Sequence, residues 1–433
     1  MNFPEAEKKL REINQQHLLK YWSELSPDQQ KNLLQQIEML NLNTFQHQRQ
    51  LLIADPSDAS HLEAFDDYYF RGNLEHKNFG RQLVKQGKVG CLLVAGGQGT
   101  RLRIQGPKGT FPVTPLTHKS LFQLFSEKVI AAGKQAGKRL SLAIMTSPQN
   151  HQETVRFFEK YQLFGLENDQ VDFFTQGELP LLNREGNLFL EEKGKIAQGA
   201  DGNGFALREF FISGIWNKWQ TQGIQFLNFV LVDNPLADPF DAELIGFHAA
   251  NGLEVTVKCT PKTNPNEKVG LLVKKNGKVA VVEYSEISQE ELFATDARGG
   301  LKHCCANLSL FCFSLDFIKK VHQKQMPLHR ALKAAKWLND LEETVYSETP
   351  SFWKFERFIF DLLEDSQKVK ALLYPREECF APLKNFTGPD SIADVQLALL
   401  NEAKRVVEQR TGLPAPTEPF ELPQEFYYPT PDA

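Results

Sequence analysis

The chain has 433 residues, with 49 Lys and Arg against 54 Asp and Glu, a net charge of −5 and 41% hydrophobic residues. That length predicts two or three units with ample core, and the slight acidic excess excludes a global attraction to nucleic acid or acidic lipid. An anion site, if there is one, must be local.

The opening MNFPEAEKKLREINQQHLLKYW is charged and amphipathic, without the apolar run and small-residue cleavage site of a leader, and no stretch reaches the length of a membrane span. Residues 1–85 read as a helical segment with little visible chemistry. Ser26, Pro27 and Gln29 supply an N-cap, a proline at the first helical position and a capping-box partner ahead of QKNLLQQIEML. From residue 86 the pattern alternates. Apolar runs CLLVA, LSLAIMTS, VDFFT and IQFLNFVLVDN are separated by helical stretches such as QETVRFFEKY and FALREFFISGIWNKW. This predicts an α/β domain over 86–375, a mainly parallel sheet covered on both faces, with ligands gathering at the carboxyl ends of the strands. Within it, Asn276 and Gly277 divide VGLLVKKNGKVAVVEYSEI into a hairpin, expected as an antiparallel excursion laid over the sheet. After Pro375 a small C-terminal lobe, 376–433, is expected, with a final helix and a proline-rich tail. No internal repeat and no hexapeptide solenoid is visible. The six cysteines include no CxxC pair and lie largely in apolar runs, the pattern of reduced thiols in a cytoplasmic protein. Cys304 and Cys305 are adjacent, and neighbours on a strand face opposite ways, which argues against a metal held there with His303.

The run from Cys91 to Ala95 leads straight into Gly96, Gly97, Gln98, Gly99, Thr100, Arg101 and Leu102. A dinucleotide fingerprint needs a third glycine where Leu102 stands, and a P-loop needs Gly-Lys-Ser/Thr, which is missing. What remains is a glycine turn at a strand's end, whose N–H groups can approach an anion, followed by Arg101, Arg103 and Lys108. Taken alone, such a turn is equally a surface loop bearing solvated charges.

AGGQGTRL followed by PKG resembles the signature of the eukaryotic-type UDP-N-acetylhexosamine pyrophosphorylases within the UDP-sugar pyrophosphorylase family. Similarity continues in order through KSLFQL, MTSP, FFEKYQLFGL, QGELP, DGNG, LVDNPL, VVEYSEI, ANLSLF and PLKN. It implies a Rossmann-like, GT-A-like nucleotidyltransferase fold and one reaction, UTP plus a sugar 1-phosphate giving a UDP-sugar and pyrophosphate. By this resemblance Arg101, Lys108 and Lys384 meet the phosphates. Gly96, Gly97, Gln176 and Gly202 bind uridine, while Asn203, Glu283, Asn307, Phe358 and Phe360 contact the sugar. Asp233, after the most apolar run, would carry Mg2+, with Mn2+ the alternative. UTP and the sugar phosphate are then the partners, with no nucleic acid, membrane or obligatory protein partner expected.

Three positions depart from the family pattern. Arg103 stands where glycine follows TRL, Phe205 follows DGNG, and LSLF follows Asn307. The last two border the expected sugar pocket. They leave open a UTP-glucose-1-phosphate or broad-specificity enzyme beside the N-acetylhexosamine reading. A non-catalytic UDP-sugar binder is the alternative of another class, opposed by the joint presence of Arg101, Lys108, Asp233 and Lys384. A bifunctional bacterial-type enzyme is opposed by the missing hexapeptide repeats.

Overall fold

The computed structural model describes residues 1–53 and 62–428; residues 54–61 of the expected helical segment and 429–433 of the expected tail lie outside it. Contacts gather the chain into two compact units that cut across its order. One consists of Met1–Asp58, Gly177–Gly204 and Met326–Phe358, the other of Ala59–Gln176, Phe205–Gln325 and Ile359–Ala433.

In the first unit, helices α1 (Phe3–Glu12), α2 (Pro27–Met39) and α3 (Leu42–Ile53) each have an apolar face too small to form a core alone. The capping box predicted at Ser26 and Gln29 starts α2, each side chain accepting the other's backbone N–H. Leu10, Leu33, Ile37 and Phe45 share one core with Leu182, Leu188, Ile196 and Phe355 from the two later segments. Buried polar groups fix the register. Gln15 donates to Asn187 Oδ1 at 3.0 Å and accepts the Leu188 N–H at 2.8 Å, and Gln48 donates to the Pro180 carbonyl at 3.0 Å. The downstream segments contribute the antiparallel pairs Glu178–Pro180 with Gln198–Ala200 and His329–Lys333 with Phe352–Glu356.

The second unit is built on a sheet of eleven strands among the described residues. They are β1 (Leu62–Ala64), β2 (Tyr68–Phe70), β3 (Val89–Val94), β4 (Leu142–Thr146), β5 (Val171–Thr175) and β6 (Phe226–Leu231). The rest are β7 (Val255–Pro261), β8 (Leu271–Lys275), β9 (Lys278–Val282), β10 (Cys305–Ser314) and β11 (Val369–Leu373). The main path runs β2-β11-β7-β10-β6-β3-β4-β5. Pairings are parallel except at β10, which is antiparallel to both β6 and β7. Because β10 is flanked antiparallel on both sides, the seven other strands of the path point one way and end on one edge. Continuous apolar runs in β3 and β4 are buried on both faces, as strands under helices on each side must be. The hairpin β8–β9 turns through Asn276 (φ 52°) and Gly277 (φ 76°), both left-handed as a two-residue hairpin turn requires. It is not laid over the sheet: β9 pairs along one side of β8, and the other side of β8 joins the sheet through Leu271 opposite Ala306 and then pairs with β1.

Helices α4 (Leu74–Lys85), α5 (Leu121–Ala136), α6 (Ala242–Ala250) and α7 (Ile392–Thr411) cover the sheet. Glycines let α4 and α6 meet backbone to backbone: a Cβ on Gly80 would lie 1.8 Å from the Ala242 carbonyl oxygen, and one on Gly246 1.8 Å from that of His76. α7 starts on a capping box between Ser391 and Asp394, ends at Gly412 in the left-handed region, and buries Val395 in the sheet's core. All six cysteines are free. Cys304 precedes β10 and is not part of it, so its thiol is not turned away from that of Cys305; hydrogen bonds with Cys305 and Tyr68 bring it down to about 6. Among the described residues no helix is long and apolar enough to cross a membrane.

Gly246→Ala should cost about 3 kcal/mol, because the added methyl must force two backbones apart; chemical denaturation measures it, and a loss below about 1 kcal/mol would show that the helices can part freely. Asp238, half-buried after β6, has its carboxyl pushed up to about 7 by lost solvation and by the neighbouring Asp241 charge. The native state therefore holds a proton that the unfolded chain has lost between about pH 4 and 7, and stability falls as pH rises through that window. Asp238→Asn should flatten this part of the stability profile, and an unchanged slope would assign it to other groups.

Candidate active site

The glycine loop begins where β3 ends at the common edge. Ala95 still donates to the Met145 carbonyl at 2.7 Å, after which the chain folds back on itself. Gly99 N–H reaches the Gly106 carbonyl at 2.9 Å, and Lys108 N–H the Gly97 carbonyl at 3.0 Å. Among the described residues the N–H groups of Gly96, Gly97, Gln98, Thr100 and Arg101 have no acceptor in the chain. Carbonyls of the same stretch are consumed by Asn150, which is 1% exposed: its Nδ2 donates to Ala95 at 3.1 Å and Gly97 at 3.3 Å, while its Oδ1 takes the Ser147 N–H at 2.8 Å. The loop thus faces outward with unpaired donors, the polarity that suits phosphate. Gln176, buried at the end of β5, donates its N–H to Thr146 and lays its amide over Gly96, where a Cβ would stand 2.7 Å from Nε2.

Beside these donors Lys108 Nζ lies 3.2 Å from Asp233 Oδ2, with side chains only 11% and 19% exposed. The Lys108 stem passes Gly97 at 4.0 Å from where a Cβ would be, so the lysine flanks the loop. Arg101 and Lys384 make no ion pair among the described residues. The segment carrying Lys384 is tied down by backbone bonds on either side, Leu383 N–H to the Asp233 carbonyl at 2.7 Å and Phe386 N–H to the Arg101 carbonyl at 3.2 Å. The buried Asn234 side chain supports the same segment, donating to Cys379 and accepting from Ala381. Arg103 sits at φ +60°, a conformation that costs a non-glycine residue about 1 kcal/mol. Lys262, just past β7 on the same edge, is 3% exposed with no hydrogen bond at Nζ among the described residues, and burial lowers its pKa.

Of the sugar candidates, Asn307 and Glu283 come together about Gly270. Asn307 N–H donates to the Gly270 carbonyl at 2.9 Å, and a Cβ on Gly270 would lie 3.0 Å from Glu283 Oε1. Asn307 Oδ1 accepts the N–H of Ser309, the left-handed residue at the β10 bulge, which leaves the amide NH2 to donate. Gly202, Asn203 and Phe358 fall in the other unit, where the Asp201–Gly204 turn rests on Arg357. Arg357 N–H donates to the Asp201 carbonyl at 2.7 Å and Gly204 N–H to the Arg357 carbonyl at 2.9 Å. Gly202 at φ +86° has no room for a Cβ, which would meet the Arg357 carbonyl oxygen at 2.2 Å. Phe358 packs on His329, whereas Phe360 belongs to the sheet unit and is 3% exposed.

Asn150, Lys262 and Arg357 were not singled out from sequence. A polar residue inside TSPQN or a lysine inside PKTNP looks like any loop residue until its burial is known.

The family model described as UTP–glucose-1-phosphate uridylyltransferase matches residues 47–410. UDP-N-acetylglucosamine diphosphorylase 2 of Arabidopsis thaliana is 31% identical over 88% of this chain and 79% of its own. UDP-N-acetylglucosamine pyrophosphorylase of Saccharomyces cerevisiae is 32% identical over 88% and 86%. The crystal structure of the uridine diphosphate N-acetylglucosamine pyrophosphorylase from Trypanosoma brucei superposes with a TM-score of 0.79 at 27% identity, covering 94% of this chain and 86% of that one.

Asn150→Ala should leave two carbonyls without a donor and loosen the loop. We expect a stability loss of about 2 kcal/mol and weaker UTP binding by calorimetry; full affinity in the variant would show that the loop holds its shape without this amide.

Proposed function

Because this chain belongs to the UTP–glucose-1-phosphate uridylyltransferase family, in its UDP-N-acetylhexosamine pyrophosphorylase branch, we propose that it joins UTP and N-acetylglucosamine 1-phosphate into UDP-N-acetylglucosamine and pyrophosphate. The observation that carries the mechanism is the row of unpaired amides beside the Lys108–Asp233 pair at the sheet's carboxyl edge.

The sugar phosphate oxygen is already an anion near neutral pH, so it attacks the α-phosphorus of UTP in line without a general base. The obstacle is repulsion between two polyanions, and the chain's work is alignment and charge neutralisation. Loop amides together with Arg101, Lys108 and Lys384 would meet the phosphates and the charge that builds on departing pyrophosphate. Gln176, donor and acceptor above Gly96, suits the alternating edge of uracil. Asn307 with its free NH2 and Glu283 as acceptor suit the sugar's polar groups. Gly202, Asn203 and Phe358 keep the uridine and sugar roles the resemblance implies, and the burial of Phe360 makes it the weakest of that set.

The donor set also suits a divalent cation. Asp233 turns one oxygen to Lys108 and keeps the other without a bond, and among the described residues no three His, Cys, Asp or Glu side chains gather. That fits an ion arriving with phosphate oxygens, and not one caged by protein. Asp233 would hold Mg2+, or Mn2+ in its place, which when bound supplies charge neutralisation at the phosphates. The free thiols support the reducing cytoplasm as compartment.

Pyrophosphate release from UTP and Mg2+ with the 1-phosphates of GlcNAc, GalNAc, glucose and galactose tests the proposal. We expect release, fastest with GlcNAc 1-phosphate; silence across the panel in protein that binds UTP would leave a nucleotide-sugar binder. Asp233→Asn should lower turnover about a hundredfold or more with the fold intact, and near-normal turnover would remove Asp233 from the metal role.

A further inference from the structure

Arg103 ends the glycine loop in a left-handed conformation, with φ +60°, that glycine would adopt without strain. Its guanidinium carbon lies 4.5 Å over the centre of the Phe386 ring. Phe386 is 37% exposed, stands two residues beyond Lys384, and donates its N–H to the Arg101 carbonyl at 3.2 Å. The turn that carries it is stiff: Lys384 and Asn385 N–H both reach the Asp390 carbonyl, at 2.8 and 3.1 Å, and Asn385 Nδ2 reaches that of Pro389 at 2.7 Å. Among the described residues Arg103 has no carboxylate partner, so the aromatic face is the contact it makes.

We infer that Arg103 and Phe386 form a clasp that holds the Lys384 turn against the glycine loop, and that Arg103 is a positioning residue for Lys384, not itself a phosphate ligand. This rests on the uridylyltransferase reading above. A cation over a ring gives a fixed stacking distance and tolerates exposure to water, which a surface ion pair does not. The clasp works with the Leu383 to Asp233 bond: one ties the start of the turn to the loop after β6, the other ties its middle to the loop after β3. Lys384 is then held from both sides, and a small displacement of either would move its ammonium away from the reacting phosphate.

Arg103→Gly relaxes the backbone, so a folding defect does not obscure the result. We expect kcat to fall about tenfold with KM for UTP changed less than about twofold, since alignment is lost and binding is not. Phe386→Leu should reproduce this loss, the double variant should be no worse than either alone, and Phe386→Tyr, which keeps the ring, should retain most of the activity. Amide exchange at Phe386 should accelerate in Arg103→Gly and Phe386→Leu. A higher KM for UTP or pyrophosphate in Arg103→Gly, with Phe386→Leu normal, would make Arg103 a direct anion contact and overturn the inference, as would unchanged exchange at Phe386 in both variants. If the unaltered protein releases no pyrophosphate, the uridylyltransferase reading fails, while the exchange measurement still decides whether the clasp exists.

Discussion

A strand that stops at the covered edge of a sheet leaves polar backbone groups that no further ladder can take, and in this chain the imbalance is one-sided. Asn150 uses its amide to satisfy the carbonyls of Ala95 and Gly97, and the loop's own turns consume others, while five N–H groups have no partner among the described residues. The surplus of donors is what makes the end of β3 attractive to an anion, before any side chain is counted. The cations lie around it, and the loop after β6 supplies Asp233. The antiparallel β10 inserted between β6 and β7 does not disturb this, because two reversals restore the common direction.

The parallel sheet was legible because strands buried on both faces must be apolar throughout, and CLLVA, LSLAIMTS and IQFLNFVLVDN carry that mark. Direction was not legible for β10, since CANLSLFCFS reads the same either way along. The capping box at Ser26 and Gln29 and the Asn276–Gly277 turn were legible because their chemistry is complete within a few residues. Asn150, Lys262 and the Arg103–Phe386 contact were not, because each depends on a neighbour that only the fold supplies. The pair Phe358 and Phe360 makes the same point from the other side. Two residues apart in sequence, they belong to different units, and Phe360 is buried in the sheet unit.

The Lys108–Asp233 pair illustrates how stability and chemistry share residues here. Both side chains are mostly buried, and each needs the other when no ligand neutralises it. In the proposed reaction an incoming phosphate and a divalent cation would offer each group a new partner of the right sign, and until then the pair preserves the shape of the loop edge.

The division of the first unit into three distant pieces has a consequence for how the protein is made. Helices α1 to α3 leave the ribosome with apolar faces whose partners, at Leu182, Leu188, Ile196 and Phe355, are not yet synthesised. At ordinary elongation rates the last partner follows roughly 15 to 60 seconds later. For that interval the nascent chain displays an uncovered hydrophobic surface on these helices while most of the sheet unit is synthesised behind them. The helical unit can therefore close only once residue 358 has been added, and the sheet unit, which still needs β11 and α7, closes after it.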